Sequence, residues 1–299
     1  ENIIEEAGSP PIILDGILGT GISGPPKDKP LSAIRFINEN RKISFIIAID
    51  VPSGLNADTG MPEGDAVKAA MTVTMGLPKK GFLGNEAIEY TGSMEVIDIG
   101  IPSELVDEIT GDGIGLISGQ ECSAAIPERK RNSHKGSYGH VLVVGGSSGF
   151  AGAPAMAANA ALVSGAGLVS VITPRSIVPL VSSFCPEIMV HPANETPYGT
   201  LTVSAVDDMR QLIDRADVIV PGPGLGNNHE TAVVVKKIIQ STKCRMVVDA
   251  DALNVLGRIS SSTFPNPERI ILTPHPGEMA RLLGKTIDEI QGDREKAAR

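Results

Sequence analysis

Apolar residues in this chain come in short unbroken runs, and nearly every run ends in Gly, Pro, Asp or Ser. The first part carries PIILDGIL, FIIAIDV, MTVTMG and SMEVIDIG. The second carries HVLVVGG, LVSVITP, EIMVHP, VIVPGPG, RMVVDADA and RIILTPHP. Helical patterns are expected between them, near Leu31–Glu39, Ala153–Ser164, Ala205–Arg215, Glu230–Ser241 and Gly277–Leu283. Continuous apolar strands separated by helices predict parallel sheets of the α/β class, buried on both faces. In such sheets ligands bind beyond the carboxyl ends of the strands, so function is sought at those Gly- and Asp-rich run ends.

Composition narrows the picture. A chain of 299 residues is expected to form two domains. The break is expected near Pro102–Arg131, where IPSELVDEITGDGIGLISGQE reads as irregular and PERKRNSHKG as polar and basic. Trp is absent and aromatics are scarce, so Val, Ile, Leu, Ala and Gly must build the cores. The net charge of −9 argues against a nucleic-acid or membrane-surface partner, which needs a basic face. It leaves room for a small anionic ligand, because backbone N–H groups hold phosphate without Lys or Arg. Cys122, Cys185 and Cys244 form no CxxC pair and are odd in number. A disulfide framework or zinc site is not expected, and a reducing cytoplasm fits. No apolar run is long enough to span a bilayer, and no signal peptide is read at the start. The chain opens on Glu1, so its natural start is expected upstream.

Two short motifs point elsewhere when taken alone. GTGISG, Gly19 to Gly24, matches the dinucleotide fingerprint GxGxxG, and Asp50 ends the next strand. In a nicotinamide-binding unit those glycines open a helix. Here Pro25 and Pro26 follow at once, which keeps the chain extended. GGSSG, Gly145 to Gly149, matches GxSxG, with Asp249 and His275 downstream in the order of an α/β-hydrolase. A nucleophile elbow turns directly into a helix, whereas Phe150 to Pro154 intervene here. The serines then read as small residues of a tight turn.

Four run ends of the second part belong together: VVGGSSGFAGAP, VPGPGLG, VVDADALN and LTPHPGE. Each alone is a plausible turn or cap. At one sheet edge they describe a crevice with Gly backbone, one His and several carboxylates. The combination SHKGSYGHVLVVGGSSGFAGAP, VPGPGLG, VVDADALNVL and ILTPHPGEMARLLG resembles the ADP- or ATP-dependent NAD(P)H-hydrate dehydratase family. LDGILGTGISG, AIDVPSGLNADTG, TVTMGLPKKGFL and VIDIGIP are similar to the NAD(P)H-hydrate epimerase domain. The two are fused in this order in bifunctional nicotinamide nucleotide repair enzymes.

The resemblance implies a Rossmann-like three-layer epimerase domain over residues 1–110 and a ribokinase-like α/β dehydratase domain over 111–299. It implies NADH-hydrate and NADPH-hydrate as substrates, a potassium ion, ADP or ATP as phosphoryl donor, and a homo-oligomer. By matching position, Asp15 and Ser53 are the implied potassium ligands. Gly19, Thr20, Gly21, Ile22, Ser23 and Gly24 form the implied loop over the substrate phosphates, and Asp50 is the implied substrate-contacting, catalytic acid. Lys79 is a candidate for phosphate or proton work, with a solvated surface lysine as the alternative. Gly152, Ala153, Gly224 and His275 are the implied hydrate-binding positions, and the glycines after HVLVV are expected to make room for a nucleotide. His275 is expected to position substrate rather than act as base.

Two parts of the family pattern are missing: the early Asn-Asn-Gly-Gly-Asp stretch, and the later Gly-Thr-Gly-Asp anion hole with its Asp. The resemblance therefore implies a fragment cut at both ends, inactive in both steps, with the dehydratase base beyond Arg299. Two other readings stay open, a sugar- or vitamin-type kinase of the same fold and a non-catalytic nucleotide-binding module.

Overall fold

The computed structural model describes residues 10–84, 86–110, 115–257 and 264–299. The chain divides into two compact units, Glu1–Pro127 and Glu128–Arg299. The division falls inside the Pro102–Arg131 tract. That tract is not wholly irregular, because helices form at Ser103–Thr110 and Gly119–Ala125. The second is set by a capping box: Glu121 N–H donates to Ser118 Oγ, and Ser118 N–H donates to the Glu121 carboxylate.

The first unit holds a four-stranded parallel sheet in the order β1-β2-β3-β4, with β1 Ile12–Asp15, β2 Phe45–Ile49, β3 Met71–Met75 and β4 Ser93–Ile97. The helix Asp28–Glu39 covers one face, burying Ile34 and Ile37 against Ile46, Ala48 and Val67. It begins three residues earlier than expected. Pro30 lies in the first turn, where its missing N–H costs no hydrogen bond. The opposite face carries Ile12 and Leu14 of β1 and Phe45 and Ile49 of β2, all exposed among the described residues. Alternation along each strand puts these four on one side, since Ile12 pairs with Phe45 and Leu14 with Ile47.

The second unit holds a six-stranded parallel sheet in the order β10-β9-β8-β5-β6-β7. These are β5 His140–Val144, β6 Leu168–Pro174, β7 Met189–Ala193, β8 Val218–Pro221, β9 Arg245–Val248 and β10 Ile270–Leu272. Both faces are covered. Leu142, Val144 and Ile172 pack one way against Met209, Val235, Ile238 and Leu253, and Val143, Val169 and Val171 pack the other way against Ala155, Ala158 and Val181. The continuous apolar runs follow from this double burial. A helix the sequence reading merged into the strand, Ala250–Leu256, packs directly after β9.

Glycine is required where strand-end loops touch. Gly222 has φ +133, and a Cβ there would overlap the Asp249 carbonyl oxygen. Gly149 also has positive φ, but a Cβ there would face open space. Gly222→Ala is therefore expected to destabilise the second unit by at least about 2 kcal/mol, and Gly149→Ala by about 1 kcal/mol. Urea denaturation of the two variants measures the difference.

His191 lies on β7 with its Nε2 buried and without a hydrogen-bond partner in the described structure. Burial, helped by repulsion from His140, lowers its pKa below the usual histidine value. The unfolded chain then binds the proton more readily than the folded one, so stability is lost as pH falls from the unfolded value toward the folded one. His191→Asn is expected to flatten the melting temperature of the second unit between about pH 7 and pH 5.

Candidate functional site

In the first unit Asp15 is the last residue of β1, and Ser53 follows the end of β2, the neighbouring strand. Both are fully buried. Ser53 N–H donates to Asp15 Oδ2 at 2.8 Å, and its Oγ lies 2.6 Å from Asp15 Oδ1. Leu18 N–H donates to Ser53 Oγ at 2.9 Å, and the Leu18 carbonyl lies 3.2 Å from the same oxygen. A carboxylate, a hydroxyl and a carbonyl thus converge under the start of the Gly19–Gly24 loop. These are hard oxygen donors of the kind that suits an alkali or alkaline-earth cation rather than a soft metal. Among the described residues no cluster of three or more His, Cys, Asp or Glu could hold a metal ion.

The loop Gly19, Thr20, Gly21, Ile22, Ser23, Gly24 is coil and turn, and the helix starts only at Asp28. The nicotinamide fingerprint geometry is absent here, as Pro25 and Pro26 require. A Cβ at Gly19, Gly21 or Gly24 would meet nothing within 4 Å, so the loop backbone is open to solvent. Its far end is fixed where Pro25 packs on Gly64.

Asp50 follows β2 with φ +66, a left-handed conformation rare outside glycine. Its N–H donates to the Val73 carbonyl at 2.8 Å. Its Oδ1 accepts from Met75 N–H at 3.1 Å and from Thr74 Oγ1 at 3.4 Å, and meets Lys79 Nζ at 2.8 Å. Partial burial raises the Asp50 pKa. The Lys79 ammonium, the Met75 N–H and the Thr74 hydroxyl outweigh it, so the carboxyl lies below its usual value. Lys79 is therefore no solvated surface residue. It comes from beyond β3, a strand the sequence could not register against β2.

In the second unit the four expected run ends lie at the carboxyl edge of one sheet and are tied to each other. Ser147 Oγ, buried, donates to the Gly224 carbonyl at 2.8 Å. Gly226 N–H donates to Asp251 Oδ2 at 2.9 Å, and Thr273 Oγ1 donates to Asp249 Oδ1 at 2.7 Å. Gly224, with φ +68, brings its backbone against Phe150 and Ala153, so Ala153 and Gly224 are neighbours. Gly152 opens the helix Gly152–Val163, and a Cβ there would only graze Phe184. Of the glycines after HVLVV, Gly145 and Gly146 are required by the protein's own packing. A Cβ at Gly145 would overlap the Pro223 carbonyl, and one at Gly146 would come within 2.5 Å of Thr173 Oγ1. Their room is taken by the protein's own loops; open space begins at Gly149 and Gly152.

His275 caps the helix Pro276–Leu283. Its Nδ1 accepts from the N–H groups of Gly277 at 3.0 Å and Glu278 at 3.4 Å, and its Nε2 faces Glu278 Oε1 at 3.2 Å. Both ring nitrogens are engaged by the helix it caps, which suits a positioning role over a base. Ser147, Asp249 and His275 make no triad, since each is spent on a different partner. Asp251, the second acid of VVDADALN, holds the loop after β8 through Gly226 N–H, a tie the sequence reading did not expect. The DAD spacing is its only trace in the sequence.

Carboxyl-edge loops of this kind on a double-faced parallel sheet define a ribokinase-like α/β protein. A solved ribokinase-like superfamily protein from Enterococcus faecalis V583 superposes with a TM-score of 0.51 at 26% identity, covering 61% of this chain and 62% of that one. The sequence profile of NAD(P)H-hydrate dehydratase matches residues 141–299, and that of the YjeF-related protein N-terminus matches residues 1–81. The chain belongs to the NAD(P)H-hydrate dehydratase family, preceded by a YjeF-related N-terminal part. A Moorella thermoacetica protein named bifunctional NAD(P)H-hydrate repair enzyme Nnr is 41% identical over 95% of this chain and 53% of its own length. A Coxiella burnetii protein of the same name is 41% identical over 96% of this chain and 55% of its own. The chain thus spans about half the length of the curated relatives it matches. Among the described residues no helix is long and apolar enough to cross a membrane.

Ser53→Ala removes the hydroxyl shared by the buried Asp15 carboxylate and Leu18 N–H. It is expected to cost about 1–3 kcal/mol. Ser53→Thr, which keeps the hydroxyl, is expected to lose less in the same denaturation experiment.

Proposed function

We propose that this protein repairs hydrated nicotinamide nucleotides. Its first part, residues 1–110, interconverts the R and S epimers of NADH-hydrate and NADPH-hydrate. Its second part, residues 111–299, dehydrates the S epimer at the expense of ADP or ATP. The observation that carries this reading is the order of two chemically distinct strand-end sites along one chain. A buried Asp15–Ser53 oxygen cluster under a glycine loop comes first and a set of glycine-rich strand-end loops second, and a relative 41% identical to this chain bears the repair name.

The roles are those the family resemblance implies for these positions, and the geometry supports them. The N–H groups of Gly19–Gly24 hold the substrate pyrophosphate, since no side chain crowds the loop glycines. Asp15 and Ser53 would supply oxygens to a potassium ion, whose charge would offset that of the phosphates. Asp50 contacts the hydrate and serves as the catalytic acid-base group, its ionised form favoured by its partners. In the second part Gly152, Ala153, Gly224 and His275 line the hydrate site. There the C6 hydroxyl receives a phosphoryl group, and loss of phosphate restores the reduced ring. Such chemistry asks chiefly for positioning and backbone donors near the phosphoryl group. A homo-oligomer is the proposed assembly.

The test supplies each hydrate epimer, potassium and either ADP or ATP to the protein in its longest natural form, and follows NADH absorbance. NADH is expected to reappear from the S epimer with nucleotide alone, and from the R epimer only where epimerisation runs. Accumulation of a stable phosphorylated product would assign a kinase instead. Binding of hydrate without turnover would assign a nucleotide-binding module.

A further inference from the structure

The Asp50 carboxylate is used on one side only. Among the described residues its hydrogen bonds and ion pair all end on Oδ1: Met75 N–H, Thr74 Oγ1 and Lys79 Nζ. Oδ2 receives none of them. Lys79 is equally committed. Its ammonium meets Asp50 Oδ1 at 2.8 Å, the Met75 carbonyl at 3.2 Å and the Leu77 carbonyl at 3.5 Å. An ammonium has three protons, and three oxygens of its own fold face them. That leaves no donor for a substrate phosphate.

We infer that Lys79 is a positioning residue for the epimerase site, clamping Asp50 through Oδ1 so that Oδ2 is presented to the hydrate. The inference rests on the role of Asp50 proposed above and names the group that acts through it. Three further features support it. Asp50 sits in a left-handed backbone conformation, a local strain that persists only where surroundings enforce it. Thr74, which adds the longest of the three contacts, is fully buried. Lys79 is the one charged side chain that acts on Asp50 among the described residues, and both side chains are largely shielded, at 21% and 28% exposure. Shielding strengthens an ion pair relative to one in bulk water. A structural brace between the ends of β2 and β3 would need the same contacts, so the test must read the carboxylate itself.

The 299-residue chain is labelled at aspartate carboxyl carbons, and Asp50→Asn assigns the Asp50 signal. Lys79→Met is expected to raise the Asp50 midpoint by about one pH unit, and Lys79→Arg to hold it within a few tenths. Lys79→Gln repeats the measurement should the Met variant fold poorly. Epimer interconversion is then followed against pH in the form of the protein used above. In Lys79→Met the acid limb is expected to move up with the Asp50 midpoint and kcat to fall about tenfold while KM holds, with recovery in Lys79→Arg. An Asp50 midpoint unmoved by loss of Lys79, or an acid limb that ignores a moved midpoint, makes Lys79 a brace and overturns the inference. Wild-type interconversion by Asp50→Asn would instead remove Asp50 from the reaction. That outcome ends the proposed role of Asp50 and the inference with it, and it is told apart because the Lys79 variants still shift the carboxyl signal.

Discussion

Backbone lying directly on backbone is the constraint from which the second unit's site follows. At the carboxyl edge of its sheet, Gly222 passes under the Asp249 carbonyl and Gly145 under that of Pro223. No side chain fits at either crossing. The loops after β5, β8 and β9 are thereby drawn into one shelf. Polar contacts then lock it: Ser147 to Gly224, Gly226 to Asp251, and Thr273 to Asp249 beside β10. These contacts order the loops against one another, and groups already ordered in the fold are worth more than ones that must first be ordered.

The first unit reaches a comparable end differently. It buries a carboxylate, Asp15, under the open Gly19–Gly24 loop. A buried acid is tolerable only when its oxygens are fully supplied with donors, and Ser53 provides both its N–H and its hydroxyl. The same hydroxyl supports Leu18, from which the glycine loop departs. Glycine loop and buried acid therefore share one anchor, Ser53. In an acidic protein of net charge −9, both units place glycine backbone rather than lysine or arginine at these strand ends.

Much of this was legible in the residues. All the apolar runs became strands, because a parallel sheet covered by helices leaves a continuous signature ending at turn residues. Boundaries were harder where two rules compete. Pro30 reads as a breaker yet sits harmlessly in a first helical turn, and Asp249–Asp251 reads as a strand end although a helix begins within it. The Ser118–Glu121 box was visible but lay in a tract read as irregular. The close packing at Gly145 and Gly146 could not be read, because a sequence shows that room is needed without showing who fills it. The grip of Lys79 on Asp50 was beyond reach for a related reason. It depends on the register of β2 against β3, which no local pattern encodes.

The strand order of the second sheet bears on how the chain is born. β5 stands in the interior, flanked by β6 on one side and β8 on the other. The His140–Asp217 contact that closes the β8 side links residues 77 positions apart. While the ribosome is still making that span, β5 has one neighbour and an unpaired apolar edge. Non-local pairing of this sort is slow and leaves hydrophobic surface open to wrong partners. Synthesis of this protein thus imposes a waiting period in which the emerging sheet keeps an apolar edge unpaired until β8 has been made.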